Sequence, residues 1–296
     1  MKIVLSAALL LTCSLTFAQP QVISQATIST TTTVIAPETE DVQNIQGSGG
    51  GPGGGNQFFR NFGDGETKST TYIKDSLVKT VMKNDMGRTT IIRNNNSKLT
   101  TTLLEIMGNK TGFYISDDEQ AIMKLKMDSM MQSRRNNDST KPRPTPAPPT
   151  APEITYTNDS KKIAGYDCKK ALIVNTRLLG IKDTVAVWYT PELKLKSVSS
   201  TGGTSSFGGF GNFGNFTSLN GLDKIDGFVM QYEMNMRRGR KMIVEVNKID
   251  VKKDISAKEF DIPKDFDVKP MKEFQSMMQG AMQGGNMPFR MDKPGQ

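Results

Sequence analysis

Residues 228–237 read Phe228-Val229-Met230-Gln231-Tyr232-Glu233-Met234-Asn235-Met236-Arg237. Phe228, Met230, Tyr232, Met234 and Met236 alternate with Val229, Gln231, Glu233, Asn235 and Arg237. A period of two, with one apolar and one mostly polar face, is the pattern of a half-buried strand. The chain turns near Gly239, and Met242, Val244 and Val246 carry the alternation onto a return strand. A hairpin of this kind needs a sheet to belong to, and the flanking sequence supplies one.

Upstream, Thr70–Ile73, Leu77–Met82, Thr89–Ile92, Leu99–Leu104 and Gly112–Ile115 are short β-rich runs separated by polar or Gly-bearing turns. Such spacing predicts an antiparallel meander. Val22 to Ile35 has the same Thr, Ile and Val vocabulary. Further strands are expected at Glu153–Tyr156, Asp167–Thr176 and Lys182–Tyr189, and a last short one near Phe260–Ile262. One helix is well signalled. Ser116 stands as N-cap with Glu119 three residues on, a capping box. Asp117 and Asp118 suit the positive end of the helix dipole, and the helix should run to about Arg134. A second helix is expected from Pro270 to Gln279.

Three low-complexity stretches interrupt this pattern. Ala36 to Gly65 contains Gly47-Ser48-Gly49-Gly50-Gly51-Pro52-Gly53-Gly54-Gly55, a composition that favours disorder. Asn136 to Pro152 contains Pro142, Pro144, Pro146, Pro148 and Pro149, an extended linker. Gly202 to Phe216 repeats Gly and Phe. Its Gly209-Phe210-Gly211-Asn212-Phe213-Gly214 matches a dinucleotide-binding pattern only by accident, since no helix follows. The resulting organisation is a signal at 1–18, a first strand with the Gly-rich insertion at 19–66, one domain at 67–266 with insertions at 136–152 and 202–216, and a Met/Gly-rich tail at 267–296. The expected fold class is α+β and mainly β: a curved antiparallel sheet with a central helix.

Composition bounds the function. The 296 residues include no His, which excludes Ser-His-Asp and Cys-His catalysis and His-ligated metals. No enzymatic activity, cofactor or metal site is expected. Lys2, the apolar run Ile3–Leu11 and Thr16-Phe17-Ala18 form a secretory signal with cleavage after Ala18. The expected location is periplasmic or extracellular; Leu10-Leu11-Thr12-Cys13 is an imperfect lipoprotein box that offers anchoring at Cys13 as the rival. Cleavage leaves Cys168 as the single cysteine, so no intramolecular disulfide forms. The net charge is +8, and Arg237, Arg238, Arg240 and Lys241 form the densest basic run, at the hairpin tip. Such a tip either contacts an anionic surface or merely aids solubility.

Three motifs carry a family resemblance. They are Lys161-Lys162-Ile163-Ala164-Gly165-Tyr166-Asp167-Cys168-Lys169-Lys170-Ala171, then Val187-Trp188-Tyr189-Thr190-Pro191-Glu192-Leu193, then Gly227-Phe228-Val229-Met230-Gln231-Tyr232. Together they resemble secreted bacterial domains of unknown function, a sister family of the GLPGLI-type proteins. The GLPGLI signature itself is absent: the corresponding region reads Gly221-Leu222-Asp223-Lys224-Ile225-Asp226-Gly227. The resemblance implies a LolA-like half-barrel, as in periplasmic lipoprotein carriers, with helices in its concave face and an apolar cavity.

Within that expectation, the cavity-lining candidates are Met123, Met127, Met130 and Met131 on the helix and Trp188, Met230, Tyr232 and Met234 on strands. Methionine is soft and adaptable, suited either to a pliable acyl-chain pocket or to ordinary core packing. Two functions follow. The first is a non-enzymatic binding module for a lipid, acyl chain or lipoprotein. The second is a cell-envelope interaction protein that makes contact through its low-complexity insertions. Partners are lipid, lipoprotein, membrane surface or other envelope components; nucleic acid is not expected.

Overall fold

In the computed structural model the described residues are 20–35, 65–84, 87–137, 151–176, 182–195, 221–235 and 239–283. The signal segment, most of each low-complexity stretch, Met236, Arg237, Arg238 and the tail beyond Gln283 lie outside them. The protein is mainly β, with two helices and a large curved sheet that does not close into a barrel.

The strands are β1 (Gln21–Ile23), β2 (Gln25–Ile35), β3 (Gly65–Lys74), β4 (Leu77–Asn84), β5 (Gly87–Asn94), β6 (Leu99–Ile106), β7 (Asn109–Ser116), β8 (Glu153–Ile163), β9 (Tyr166–Thr176), β10 (Lys182–Thr190), β11 (Leu193–Leu195), β12 (Phe228–Asn235), β13 (Lys241–Asp250) and β14 (Asp267–Pro270). Helix α1 spans Asp117–Asn137 and α2 spans Met271–Gln283. Twelve strands form one sheet in the order β14-β7-β6-β5-β4-β3-β2-β13-β12-β10-β9-β8. Every pairing in it is antiparallel except β14 with β7.

The meander from β3 to β7 forms because each turn is two to four residues; burial alternates along β3 and β5, while β6 is buried on both faces from Thr100 to Leu104. The opening hairpin behaves as its sequence predicts: Phe228, Met230, Tyr232 and Met234 are buried, and so are Met242, Val244 and Val246 opposite them. Between β8 and β9 the chain turns on Ala164 (φ 48°) and Gly165 (φ 89°). Two left-handed residues match the twist of a tight hairpin, and a glycine meets that demand at no steric cost.

The core lies on one face. Ala171, Ile173, Val185, Val187, Tyr232 and Val244 make one cluster, roofed by Leu222 and Ile225 from the segment that leads into β12. Ala26, Ile28, Ile73, Val78, Cys168 and Met230 make a second, closed by Ile23 and Leu193. Those last two belong to β1 and β11, which pair in parallel in a small ladder of their own. β1 leads into β2 and β11 follows β10, strands that β13 and β12 separate in the sheet. The ladder therefore draws their ends together across the buried face. At the β7 side α2 covers the same face, with Phe274 against Phe113 at 5.0 Å between ring centres. Among the described residues the opposite face is covered at one side, where Ile255 and Phe260 pack on Ile92 and Leu103.

Two expectations change. The strand expected near Phe260–Ile262 is a 3-10 turn, Ala257–Phe260, because the Ser256 hydroxyl accepts from Lys258 N–H and caps it. β14 instead forms seven residues later. The register of β10 against β12 shifts between Trp188 and Tyr189, where Met230 is the extra residue, while β10 stays regular against β9: Tyr189 is buried with Val185 and Val187, and Trp188 opposes Gln231 and Lys170. Finally, α1 is not central. Its main contact with the sheet is with β7, which it follows directly, and none of its described side chains is buried. The physical reason is occupancy: α2, the segment 221–227 and the β1–β11 ladder already fill the buried face.

Candidate functional site

The start of α1 is firmly held. Ser116 N–H donates to Glu119 Oε2 at 2.9 Å, and Glu119 N–H donates to Ser116 Oγ at 3.3 Å, the expected capping box. Arg93 on β5 grips the first helical residue with two donors, Nη1 at 2.5 Å and Nη2 at 2.8 Å from the Asp117 carboxylate. Nη1 and Nε of Arg93 also donate to Thr100 Oγ1 and Asn95 Oδ1. The Arg93 bonds hold the Asp117 carboxyl below its ordinary pKa against an opposing desolvation. The Ser116 bonds do the same for Glu119.

Beyond that anchor α1 presents apolar side chains to solvent. Ile122, Leu125 and Met130 are 54%, 70% and 59% exposed and border an open hollow with Lys126 and Ser129. Met123 is half-buried and its sulfur accepts from Gln275 Nε2 of α2 at 3.8 Å. The side chains of Met127 and Met131 lie outside the described residues. On the sheet, Met230 sits in one core cluster with Trp188 packed against it, while Tyr232 and Met234 sit in the other. Among the described side chains, Met123 and Met130 are thus not brought together with the methionines of β12. Met230, Tyr232 and Met234 are core, and burial pushes the Tyr232 phenol well above its usual range.

Trp188 is half-buried beneath two ammonium groups. Lys161 Nζ lies 4.4 Å from the ring centre and Lys170 Nζ 5.7 Å. Lys161 also donates to Gln231 Oε1, and Lys170 pairs with Asp159 at 3.0 Å. Each cation–π contact is worth about 0.5–1 kcal/mol at a partly exposed site. At the basic tip, Arg240 is half-buried and Lys241 pairs with Glu233. Cys168 is fully buried, donates to Tyr166 O at 3.5 Å, and burial pushes its thiol up to about 11. A thiol held that high is almost wholly protonated at neutral pH and is a poor nucleophile. Among the described residues no group of three His, Cys, Asp or Glu side chains is placed to hold a metal ion, and no helix is long and apolar enough to cross a membrane.

The topology shows something that no single motif could. Ile35 and Gly65 border the 36–64 stretch, Thr176 and Lys182 border 177–181, and Asn235 borders 236–238. Register places these joins together: Ile35 opposes Lys241, Lys241 opposes Asn235, Val34 opposes Gly65, and Thr176 opposes Lys182. The Pro-rich stretch leads through Pro152 into β8, where Glu153 opposes Val174 at the same end. Gly221, where 196–220 rejoins, lies against that Pro152: a Cβ on it would stand 2.8 Å from the proline ring. The Gly-rich stretch, the end of the Pro-rich stretch and the basic hairpin tip therefore join the sheet at one end, and the Gly/Phe stretch, which leaves from β11 at the opposite end, returns beside them at Gly221.

The outer face also carries a group of cations that strand-by-strand reading passes over. Lys68, Lys83 and Arg88 oppose one another across β3, β4 and β5. Only register reveals them.

Comparison with known proteins defines the class. Residues 64–266 match the family described as "Domain of unknown function (DUF4412)", and the chain belongs to that family. No curated protein matches it. Among solved structures, PNGF-II in two space groups is similar at 14% and 15% identity, with TM-scores of 0.36 and 0.35. Each alignment covers 86% of this chain and 33% of the other, so the chain spans about a third of the length of those proteins.

Proposed function

We propose that the protein is an exported, non-enzymatic binding module that acts by surface contact at the loop-bearing end of its sheet. The convergence of the inserted stretches on that end carries the reading. A two-residue turn of the kind that joins β3 to β4 would suffice between β2 and β3. Anchoring several low-complexity stretches side by side instead raises their effective concentration toward one partner. The titratable groups agree with a binding role: Asp117, Glu119 and Asp265 are held low by their partners and Cys168 is held high, so none of them is poised near neutrality.

The carrier reading has less in its favour. An open curved sheet suits a half-barrel of the lipoprotein-carrier kind, and the three motifs set the chain beside the GLPGLI-type proteins. Yet the methionines proposed to line a cavity are core on β12, and on α1 Met130 faces solvent. The expected partner is accordingly another component of the cell envelope.

The test is co-sedimentation with bacterial envelope fractions. Replacing 36–64 by a short Gly-Ser turn and 196–220 by a Gly-Ser linker of equal length should weaken association singly and abolish it together, with near-UV circular dichroism unchanged. Undiminished sedimentation of the folded double variant would sink the proposal.

A further inference from the structure

Directly opposed residues of an antiparallel pair share a face. Following the register from β10 to β5, one row crosses the outer face: Trp188, Gln231, Glu245, Thr31, Lys68, Lys83 and Arg88. Its last three members are cations on adjacent strands, about 4.8 Å apart in the pairing direction. Like charges set directly opposite are destabilising. Their neighbours relieve this only in part. Lys68 meets Glu66 at 3.3 Å and Arg88 meets Glu105 at 3.6 Å, while Lys83 is exposed without an ion pair among the described residues. Beside them lies a polar hollow bordered by Thr31, Thr33, Glu66, Lys68 and Asn247. Thr31 Oγ1 donates to Asn247 Oδ1 at 2.9 Å, which fixes the amide so that its NH₂ is free to donate. At the far end of the row Lys161 and Lys170 stand over Trp188.

From this arrangement we infer that the outer face is a binding surface for a linear acidic polysaccharide lying across the strands. Lys68, Lys83 and Arg88 meet its carboxylates. The hydroxyl, amide and carboxylate groups of the hollow exchange hydrogen bonds with its sugar hydroxyls. The mixture of groups selects this partner over other polyanions. Glu66, Glu105 and Glu245 interleave with the cations and accept hydrogen bonds from sugar hydroxyls, donors that a DNA backbone does not offer. The hollow's one apolar residue, Ile243, is half-buried, so nothing there would enter a bilayer. The surface is formed by the sheet alone and does not depend on the inserted stretches, so its failure would leave the contact reading intact.

The test is affinity electrophoresis of the exported protein in gels containing polygalacturonate, with neutral dextran as control. Retardation by polygalacturonate, lost at high salt, is expected. The triple variant K68Q/K83Q/R88Q removes three exposed charges and should weaken binding about tenfold. The pair K252Q/K253Q, also exposed, should leave binding unchanged and controls for net charge. The inference is overturned if polygalacturonate does not retard the protein, if the triple variant is retarded as strongly as the parent, or if K252Q/K253Q weakens binding equally. Equal retention by duplex DNA or by phosphatidylglycerol vesicles would also overturn it, because plain charge would then explain the binding.

Discussion

The two-pronged grip of Arg93 on Asp117 should be the clamp that fixes α1 to the sheet, and a double-mutant cycle measures it. The pair is neither exposed nor deep, with side chains 17% and 25% accessible. At about 4 Å between charge centres the Coulomb attraction is about 4 kcal/mol at an effective dielectric of 20. Desolvation of both groups opposes it. Exposed pairs are worth about 0.2–1 kcal/mol, and removing one partner of a buried pair costs about 3–5 kcal/mol. The geometry lies between, and a coupling of about 2 kcal/mol is expected for R93M with D117N. Urea unfolding of the parent, the two single variants and the double variant gives the coupling directly. The pH dependence supplies a second reading. The Asp117 carboxyl is held low in the folded state, so its contribution is fully present above its unfolded pKa of about 3.9 and is lost as pH falls through the lower folded value. A coupling below about 0.3 kcal/mol at pH 7, or one that survives unchanged at pH 2, would refute the clamp.

Met230 is completely buried, so M230A should cost about 2–5 kcal/mol in chemical denaturation; a cavity-lining residue would instead leave stability nearly unchanged. In a chain lacking Cys13, a thiol reagent should label Cys168 at neutral pH only as fast as the protein opens, and labelling at the rate of a free thiol would contradict its burial. At Gly227 (φ 154°) a Cβ would stand 2.5 Å from Thr190 O, so G227A should lower the thermal midpoint by several degrees, about 1 kcal/mol or more; an unchanged midpoint would deny the close approach.

Much of the sheet was legible because alternation survives wherever the buried face is aliphatic, as in Phe228–Met234 and Met242–Val246. The beginning of α1 was legible because Ser116 and Glu119 act locally. Its position was not. Ile122, Leu125 and the methionines look the same in sequence whether they meet a sheet or solvent. Thr30, Thr32, Thr71, Thr80 and Thr102 are buried too, so in β2 to β6 polarity does not reveal which face points inward. The bulge at Trp188/Tyr189 and the parallel strand β14 depend on partners distant in sequence. The same holds for the candidate surfaces. The basic hairpin tip could be read from one run of residues, but the convergence of the insertions and the row Lys68–Lys83–Arg88 exist only through register.

If the module works by contact on its surface, as proposed, it carries no ligand within it. Native mass spectrometry of the chain from Gln19 to Gln296, gently purified from a bacterial periplasm, tests that most directly. The bare protein mass is expected. A reproducible mass increment that organic solvent releases as lipid would contradict it and restore the carrier reading.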